Sequence, residues 1–310
     1  MKIILTLLIS VMTFFAMSQD RFVSNTYLTN DNAYQSSFKQ YVGYDKNFII
    51  KNKDTTKEDH ILDVTPMIGW RCYFFNGLEN HYTDVRTNFV YKYNRNLCTN
   101  INLSFLSSKD WSPVFFDGYV RYTRKRLSYE FFKERETVGT PVTNNLRYIS
   151  SFTGLSVDYR MSRKLTMVNS LAYNTVSDGN RRFFQTMRFI CTLKDNRSYV
   201  DFKLRKMYGG EWSPYYFSPN YINQYNVGYG FYKPIYKEKF ISKFYFGAGA
   251  QEIDNYYMAM FNVDFKATTN LRSKWNYEFA FSSRNFNTYI FNTFTFKVYY
   301  TFVNKKVSDK

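Results

Sequence analysis

The sequence predicts an all-β fold, a transmembrane antiparallel up-and-down β-barrel of about fourteen strands, with a range of roughly 12 to 16. Three observations predict it. Strand-like segments keep one face free of charge, aromatic residues make up 21% of the 310 residues, and short connections alternate with longer ones. Together they describe strands with one face in hydrocarbon and the other in water.

The chain begins with the features of a secretory signal peptide. Lys2 precedes an apolar run that extends to Phe15, and a small-x-small pattern ends at Ser18. This run is too short to cross a bilayer as a helix, so we expect cleavage after Ser18 rather than an N-terminal anchor. The signal peptide therefore covers residues 1–18, and the exported protein is expected in the outer membrane of a Gram-negative bacterium.

Residues 19–62 are polar and poorly patterned, with a run of charges between Lys51 and Asp59. They predict a periplasmic N-terminal extension, which is either a plug-like segment or a disordered leader. The pattern also allows one further strand around residues 47–50. The barrel itself is predicted over residues 63–302, with a C-terminal tail at 303–310.

From residue 64 onward, apolar and charged residues alternate. Val85, Phe89 and Tyr91 have one parity, whereas Asp84 and Arg86 have the other. Because successive side chains of a strand point to opposite faces, one face is apolar and the other carries the charges. A Lys or Arg facing lipid at mid-depth costs about 2–4 kcal/mol, so the charged parity is expected to face the interior.

The connections between the predicted strands form two classes. Six short turns alternate with seven mostly longer loops, which include 76–80, 134–149, 209–220 and 251–255. This alternation is typical of outer-membrane barrels, in which tight turns lie in the periplasm and long loops lie outside. These connections give fourteen strands, and the final strand alternates Phe294, Phe296 and Val298 with polar residues.

The interior is predicted to be basic, because inward positions hold about two basic residues for each acidic one and the net charge is +17. The residues expected to line the lumen are Arg86, Lys92, Arg188, Lys203, Arg205, Lys243 and Lys274. A narrow positive channel concentrates anions. The pattern thus predicts a pore for passive passage of a polysaccharide or an anionic solute. Alternatively, the charges pair across the wall and only stiffen the barrel.

Aromatic residues also occur at positions that we predict to face the lumen. Tyr245 and Tyr299 are the candidates for the substrate path, because flat rings stack on sugar faces. The wider inward set contains Tyr122, Phe184, Tyr208 and Tyr232. The alternative is that these rings only pack within the wall.

Composition argues against several other functions. Neither His60 nor His81 lies beside a Ser and an acid in the predicted strands, so no Ser/His hydrolase site is expected. The three cysteines match no CxxC metal pattern. We expect no enzyme activity, no cofactor, no metal and no nucleic-acid partner, and outer-membrane lipid as the surrounding medium. The alternative function is a non-conducting barrel that serves adhesion or anchoring through its outer loops.

Three stretches carry a family resemblance. They are Glu136-Thr137 with the strand at 154–159 and the turn Asp178-Gly-Asn-Arg-Arg182, the segment Tyr216-Phe-Ser-Pro-Asn-Tyr221, and the closing strand at 295–302. In this order they resemble the C-terminal barrel of outer-membrane exopolysaccharide export porins of the poly-N-acetylglucosamine and cellulose type. The resemblance implies exopolysaccharide export. It also implies a periplasmic helical-repeat region ahead of the barrel. Either a separate helical-repeat or synthase subunit supplies that region, or this barrel has a different task.

Overall fold

A computed structural model of the protein describes residues 21–31, 35–51, 59–109, 111–139, 141–194, 197–235, 240–269, 274–286 and 289–302. The expected signal peptide and C-terminal tail lie outside these residues. The described residues form sixteen strands and one short helix. The strands are β1 (Arg21–Asp31), β2 (Gln35–Ile50), β3 (His60–Phe75), β4 (Leu78–Lys92), β5 (Leu97–Ser107), β6 (Val114–Arg124), β7 (Leu127–Thr137), β8 (Ile149–Arg160), β9 (Leu165–Val176), β10 (Arg181–Thr192), β11 (Ser198–Tyr208), β12 (Tyr221–Ile235), β13 (Phe240–Ile253), β14 (Tyr256–Thr269), β15 (Trp275–Phe286) and β16 (Tyr289–Thr301). The helix is α1 (Pro141–Asn145).

The sixteen strands close into one antiparallel barrel. Each strand pairs with the next along the chain, and the first pairs with the last in a register that runs from Arg21 opposite Thr301 to Asp31 opposite Phe291. The prediction of a closed antiparallel barrel is confirmed. The predicted count of about fourteen is two strands too low.

The two additional strands lie in the stretch predicted as a periplasmic extension. Residues 21–31 form β1 and residues 35–50 form β2, and both belong to the wall. Their outward positions carry Ser24, Thr26 and Gln40 among apolar residues, and Thr26 hydrogen-bonds to Gln40 along that face. These paired polar groups obscure the apolar parity on which the strand prediction depended.

Two connections predicted as longer loops are two-residue hairpin turns. Asn76 and Gly77 have φ of 47° and 79°, and Asp254 and Asn255 have φ of 47° and 71°. Two consecutive residues with positive φ define the turn that best matches the twist of paired strands, and Asn, Asp and Gly adopt it most readily. The flanking strands are therefore longer than predicted, up to 16 residues in β3.

The barrel has two different ends and two different faces. The termini and the connections 93–96 and 161–164 lie at one end, the termini end, and α1 and the 209–220 loop lie at the other, the loop end. Outward side chains are largely apolar and exposed, as with Leu103 (46%) and Phe246 (56%). This apolar belt is a surface suited to a bilayer, since a soluble monomer rarely exposes so continuous an apolar area.

Among the described residues, no helix has the length and apolar composition needed to cross a membrane.

The seam between β1 and β16 can be tested by cross-linking. Ser24 and Val298 are directly opposite one another, so their Cβ atoms are about 4.5–5.5 Å apart, within reach of a disulfide after small adjustment. We expect Ser24→Cys with Val298→Cys, in a background that lacks the free cysteines Cys72, Cys98 and Cys191, to form an intramolecular disulfide under mild oxidation. A shift in non-reducing gel mobility measures it.

The control pairs Ser24→Cys with Phe294→Cys, which is four residues out of register, or about 13 Å along the strand. Equal cross-linking of the two pairs would contradict the seam.

Candidate functional site

The interior is divided into two parts, and the first is a buried polar network between β2 and β7. Arg71 Nε donates to Asp84 Oδ2 at 2.7 Å, and Arg71 Nη2 donates to Ser104 Oγ at 3.0 Å. Tyr41 donates to the same Asp84 oxygen at 2.8 Å. The side chains of Arg71 and Asp84 are 1% and 0% exposed. Burial of Arg71 and Asp84 is tolerated because nearly every polar atom of these two side chains has a hydrogen-bond partner.

The network also joins strands that are not neighbours. Lys39 on β2 lies 3.1 Å from Glu136 on β7, and Arg71 on β3 also pairs with Glu136. Five inter-strand steps separate β2 from β7, which is about 24 Å along the wall. These side chains therefore meet across the interior, and they close this side of the lumen.

An apolar cluster adjoins the network toward the loop end. Tyr73, Tyr82, Leu106 and Phe115, from β3, β4, β5 and β6, are at most 5% exposed, and Trp111 packs against them. The Trp111 ring meets those of Tyr82 and Phe115 edge to face, at centroid distances of 6.3 and 6.2 Å. The polar network and this cluster form the packed half of the interior.

The second part is a cavity of about 620 Å³ against β10–β16, on the other side of the lumen. It is lined by six basic and two acidic side chains, together with tyrosines and amides. The charged residues are Arg188, Lys203, Arg205, Lys243, Lys266, Arg284, Asp201 and Asp264. We name it the cationic cavity.

Half of the cations in the cavity are neutralised by carboxylates. Arg188 pairs with Asp201, Arg284 lies 3.3 Å from Asp264, and Lys266 lies 2.8 Å from Glu278.

The other three are Lys203, Arg205 and Lys243. Within the described part of the chain, none of them lies within ion-pair distance of a carboxylate. Arg205 instead lies 5.6 Å from the centre of the Phe184 ring. The cavity therefore presents uncompensated positive charge to whatever occupies it.

Two tyrosine rings lie flat against the cavity wall. Tyr199 and Tyr245 stack at a centroid distance of 6.2 Å and an interplanar angle of 21°, and the Tyr245 hydroxyl donates to Asp201 at 3.0 Å. Glycines on β12 create the space: a Cβ on Gly228 would lie 2.1 Å from the Tyr245 hydroxyl, and one on Gly230 would lie 2.2 Å from the Tyr199 ring. The missing side chains keep both rings out of the passage.

The loop end narrows above both halves. The loop 209–220 lines a second cavity, of about 880 Å³, which also contacts Phe75, Val142 and Phe291. β3, which carries Phe75, lies eight strands from β11 and hence on the opposite side of the barrel. Tyr148, next to β8, packs edge to face on Tyr215 at 6.1 Å. The two long loops thus touch and reach over the mouth.

Two of the stretches that carry the family resemblance bind one another here. Asn180 donates to the Glu211 carbonyl and to Ser218 Oγ, both at 2.7 Å, and accepts from the Glu211 amide at 3.2 Å. Tyr216 donates to Asp178 at 2.7 Å. Burial and this hydrogen bond raise the pKa of Tyr216 to about 12, so the phenol remains a donor at neutral pH. These residues fasten the 209–220 loop to the β9–β10 turn.

The predicted lumen residues fall into three groups. Arg188, Lys203, Arg205, Lys243 and Tyr245 all line the cationic cavity.

Arg86, Lys92 and Tyr299 lie elsewhere in the barrel. Arg86 stacks on Tyr41 at 4.9 Å, beside the packed half. Lys92 is exposed near the termini end, 4.0 Å from Asp63, and Tyr299 of β16 lies opposite Asn276 of β15.

Three sequence predictions need correction. Lys274 is an exposed residue of the β14–β15 connection, one position before β15 begins, and does not line the cavity. Tyr122 and Tyr208 face outward, since Tyr122 pairs with Leu97 and Tyr208 with Phe183 on the apolar belt. Both tyrosines lie at strand ends, where a phenol suits the edge of a bilayer.

Sequence reasoning also missed residues of the candidate site and of the packed half. Arg284 lines the cavity but lay in a predicted loop, 283–287. Arg284 has the same parity as Glu278 along β15. That shared parity could have predicted that Arg284 faces the interior. Lys39 and Tyr41 were missed because they belong to β2.

Comparisons with known proteins identify the fold. No protein-family model matches the chain, and no curated protein sequence matches it. The structure described as "Bacterial polysaccharide outer membrane secretin" is similar with a TM-score of 0.67 at 11% identity, over 93% of this chain and 100% of that one. The structure of Acinetobacter baumannii OccAB3 has a TM-score of 0.50 at 10% identity, over 93% of this chain and 100% of that one. The structure of Pseudomonas aeruginosa OccK5 (OpdH) has a TM-score of 0.50 at 11% identity, over 91% of this chain and 97% of that one. At these identities, the likeness is one of fold.

Within the described residues, no group of His, Cys, Asp and Glu side chains is arranged to hold a metal ion.

The buried ion pair makes a direct prediction for stability. Asp84→Asn keeps the shape of the side chain but removes the fully buried one of the two carboxylates that pair with Arg71. We expect the free energy of unfolding, from urea titration in phospholipid vesicles, to fall by about 3 kcal/mol.

Glu130→Gln is the matched control. Glu130 pairs with Arg121 across adjacent strands, but the Arg121 side chain is 49% exposed, so we expect a loss below about 1 kcal/mol. Equal effects of the two variants would refute the assignment of the packed half as the rigid part of the interior.

The fastened loop gives a second prediction. Asn180→Ala removes two donated hydrogen bonds and one accepted one, so we expect the 209–220 loop to open more often and chymotrypsin to cut it about tenfold faster. Asn145→Ala, which removes one exposed bond to Asn80, is the control and should not change cleavage of this loop. Unchanged cleavage of the Asn180 variant would show that the loop is held by other contacts.

Proposed function

We propose that the protein is an outer-membrane channel whose cationic cavity selects anionic solutes. The observation that carries this proposal is the set of three cations, Lys203, Arg205 and Lys243, that face one cavity and lack carboxylate partners there. Such a cluster is costly in a structural role, because like charges in a confined space repel. Its cost is offset when an anion enters.

The chemistry of the cavity favours an acidic sugar over a simple ion. Lys203 and Arg205 supply charge for a carboxylate or sulfate group, and Asn262 supplies an amide for a hydroxyl. The Tyr245 ring offers a flat face of the kind that stacks on a sugar ring. The likeness of fold to a barrel described as a polysaccharide outer membrane secretin agrees with this chemistry. The finer proposal is therefore export of an anionic exopolysaccharide, together with a periplasmic synthase or helical-repeat partner.

The termini end faces the periplasm in this proposal. Tight turns and both termini at the periplasmic side, with longer loops outside, are the usual arrangement of such barrels. The secretory signal peptide expected at residues 1–18 would deliver the chain to the periplasm. The termini are then expected on the periplasmic side, which is the same orientation.

A second function is favoured by a separate observation. The packed half fills one side of the lumen, and the loops that contain Tyr148 and Tyr215 meet over the mouth. A barrel closed in this way would not conduct, and its outer loops would then serve adhesion or anchoring.

Electrical recording separates the two functions. In a planar bilayer with a salt gradient, we expect the protein to conduct with a preference for anions. Lys203→Glu, Arg205→Glu and Lys243→Glu together should reverse this preference, because the cavity then carries excess negative charge. An acidic oligosaccharide should block the current at lower concentration than a neutral one of equal length.

Lys274→Glu is the control, since Lys274 lies outside the cavity and should leave selectivity nearly unchanged. A folded protein that never conducts would exclude the channel and favour the adhesion function. Conduction that both oligosaccharides block equally would support the channel function and contradict the proposal that its substrate is an acidic polymer.

A further inference from the structure

The outer surface of the barrel carries an uneven distribution of charge near the loop end. On the outward face of β7–β11, the described residues include four basic side chains and no carboxylate: Lys133, Arg135, Arg181 and Lys206. Outward charged positions elsewhere near this end carry Glu79 on β4 and Glu252 on β13 instead. The positive charge is thus confined to one sector of the wall.

Two arginines in this sector lie in one row of the sheet. Arg135 is opposite Ser151, Ser151 is opposite Thr175, and Thr175 is opposite Arg181. Three inter-strand steps place the two arginine Cα atoms about 14 Å apart. Two guanidinium groups with two hydroxyls between them form a row of hydrogen-bond donors.

Apolar residues continue the sector toward the middle of the barrel. The next row contains Lys133, Tyr173 and Phe183, and the row below it contains Leu155 and Leu171. A cationic row above an apolar area matches a lipid, whose charged headgroup lies above its acyl chains.

A groove lies at the same place. It has a volume of about 340 Å³ and is lined by Phe116, Lys133, Arg135, Ile149, Ser151, Thr175, Val176 and Ser177. At the edge of the groove, Lys133 Nζ lies 5.6 Å from the centre of the Phe116 ring. Within the described chain, neither Lys133, Arg135, Arg181 nor Lys206 has a carboxylate within ion-pair distance.

The glutamates next to these cations along β7 are turned away from them. Glu134 and Glu136 have the opposite parity, and Glu136 binds Lys39 and Arg71 inside the barrel. The nearest acidic residue of the β9–β10 turn, Asp178, accepts a hydrogen bond from Tyr216. The cations are therefore left for a ligand from outside the chain.

We propose that Lys133, Arg135, Arg181 and the adjoining groove bind the phosphate-bearing headgroup of a membrane lipid in the leaflet at the loop end. Arginine suits this role because its planar group binds phosphate through two parallel hydrogen bonds. The proposal rests on the proposed membrane location, but it requires no conduction through the lumen. Its site faces lipid and is separate from the cationic cavity.

Native mass spectrometry of the detergent-purified protein tests the site. Diphosphoryl lipid A, phosphatidylglycerol and phosphatidylcholine serve as probes, and inorganic phosphate serves as the competitor. We expect lipid A to bind most tightly, and Arg135→Gln with Arg181→Gln to weaken it by about ten- to thirty-fold. Millimolar inorganic phosphate should not displace the lipid, because the apolar rows bind its acyl chains.

The matched control is Arg124→Gln, which removes an exposed arginine at the opposite end of β6 and should leave lipid A binding unchanged. Equal binding of lipid A by the wild type and the double variant, with both shown folded by heat-modifiable gel mobility, would overturn the proposal. Displacement by inorganic phosphate would overturn the lipid as the ligand.

Conductance of the same double variant separates this proposal from the proposed function. Neither arginine lines the cationic cavity, so anion selectivity should remain that of the wild type. Lipid binding without conduction would contradict only the proposed channel function. Conduction with no preference among lipids would contradict only the proposed lipid site.

Discussion

The structure depends on one constraint, which is that every backbone amide and carbonyl in the wall must find its partner within the wall. Hydrocarbon supplies no hydrogen bonds, so a sheet can enter a bilayer only when it has no free edge. Pairing of β1 with β16 over Arg21–Asp31 removes the last two edges. Once the edges are closed, each side chain has only two directions, outward to an apolar medium or inward to the lumen.

That choice of direction explains the chemistry of the interior. Charged residues cannot face outward at mid-depth, so they accumulate inside, where they either pair or remain available. In the packed half they pair: Arg71 satisfies Asp84, Ser104 and Glu136 at once. In the cationic cavity the carboxylates are too few, and Lys203 and Lys243 remain uncompensated. The same composition thus provides both a packed half held by ion pairs and a cavity with excess positive charge.

Much of the fold could be predicted from the sequence, because parity depends only on local alternation. It located the wall from β3 to β16 and the inward direction of Arg188, Lys203 and Arg205. It failed for β1 and β2, where polar residues such as Thr26 and Gln40 satisfy one another on the outward face. Contacts across the lumen could not be predicted, because Lys39 and Glu136 are 97 residues apart and no local pattern relates them.

The division of the interior also has a mechanical consequence. Strands β2–β7 are braced by side chains that cross the lumen, whereas the ion pairs described for β10–β15 join neighbouring strands, and Gly228 and Gly230 leave that wall without two side chains. We expect a load from within to widen the bore by outward bending of β10–β15, because side chains that cross the lumen restrain β2–β7. The cations and the tyrosine rings lie on that side, so a change in the width of the bore would fall at the cationic cavity.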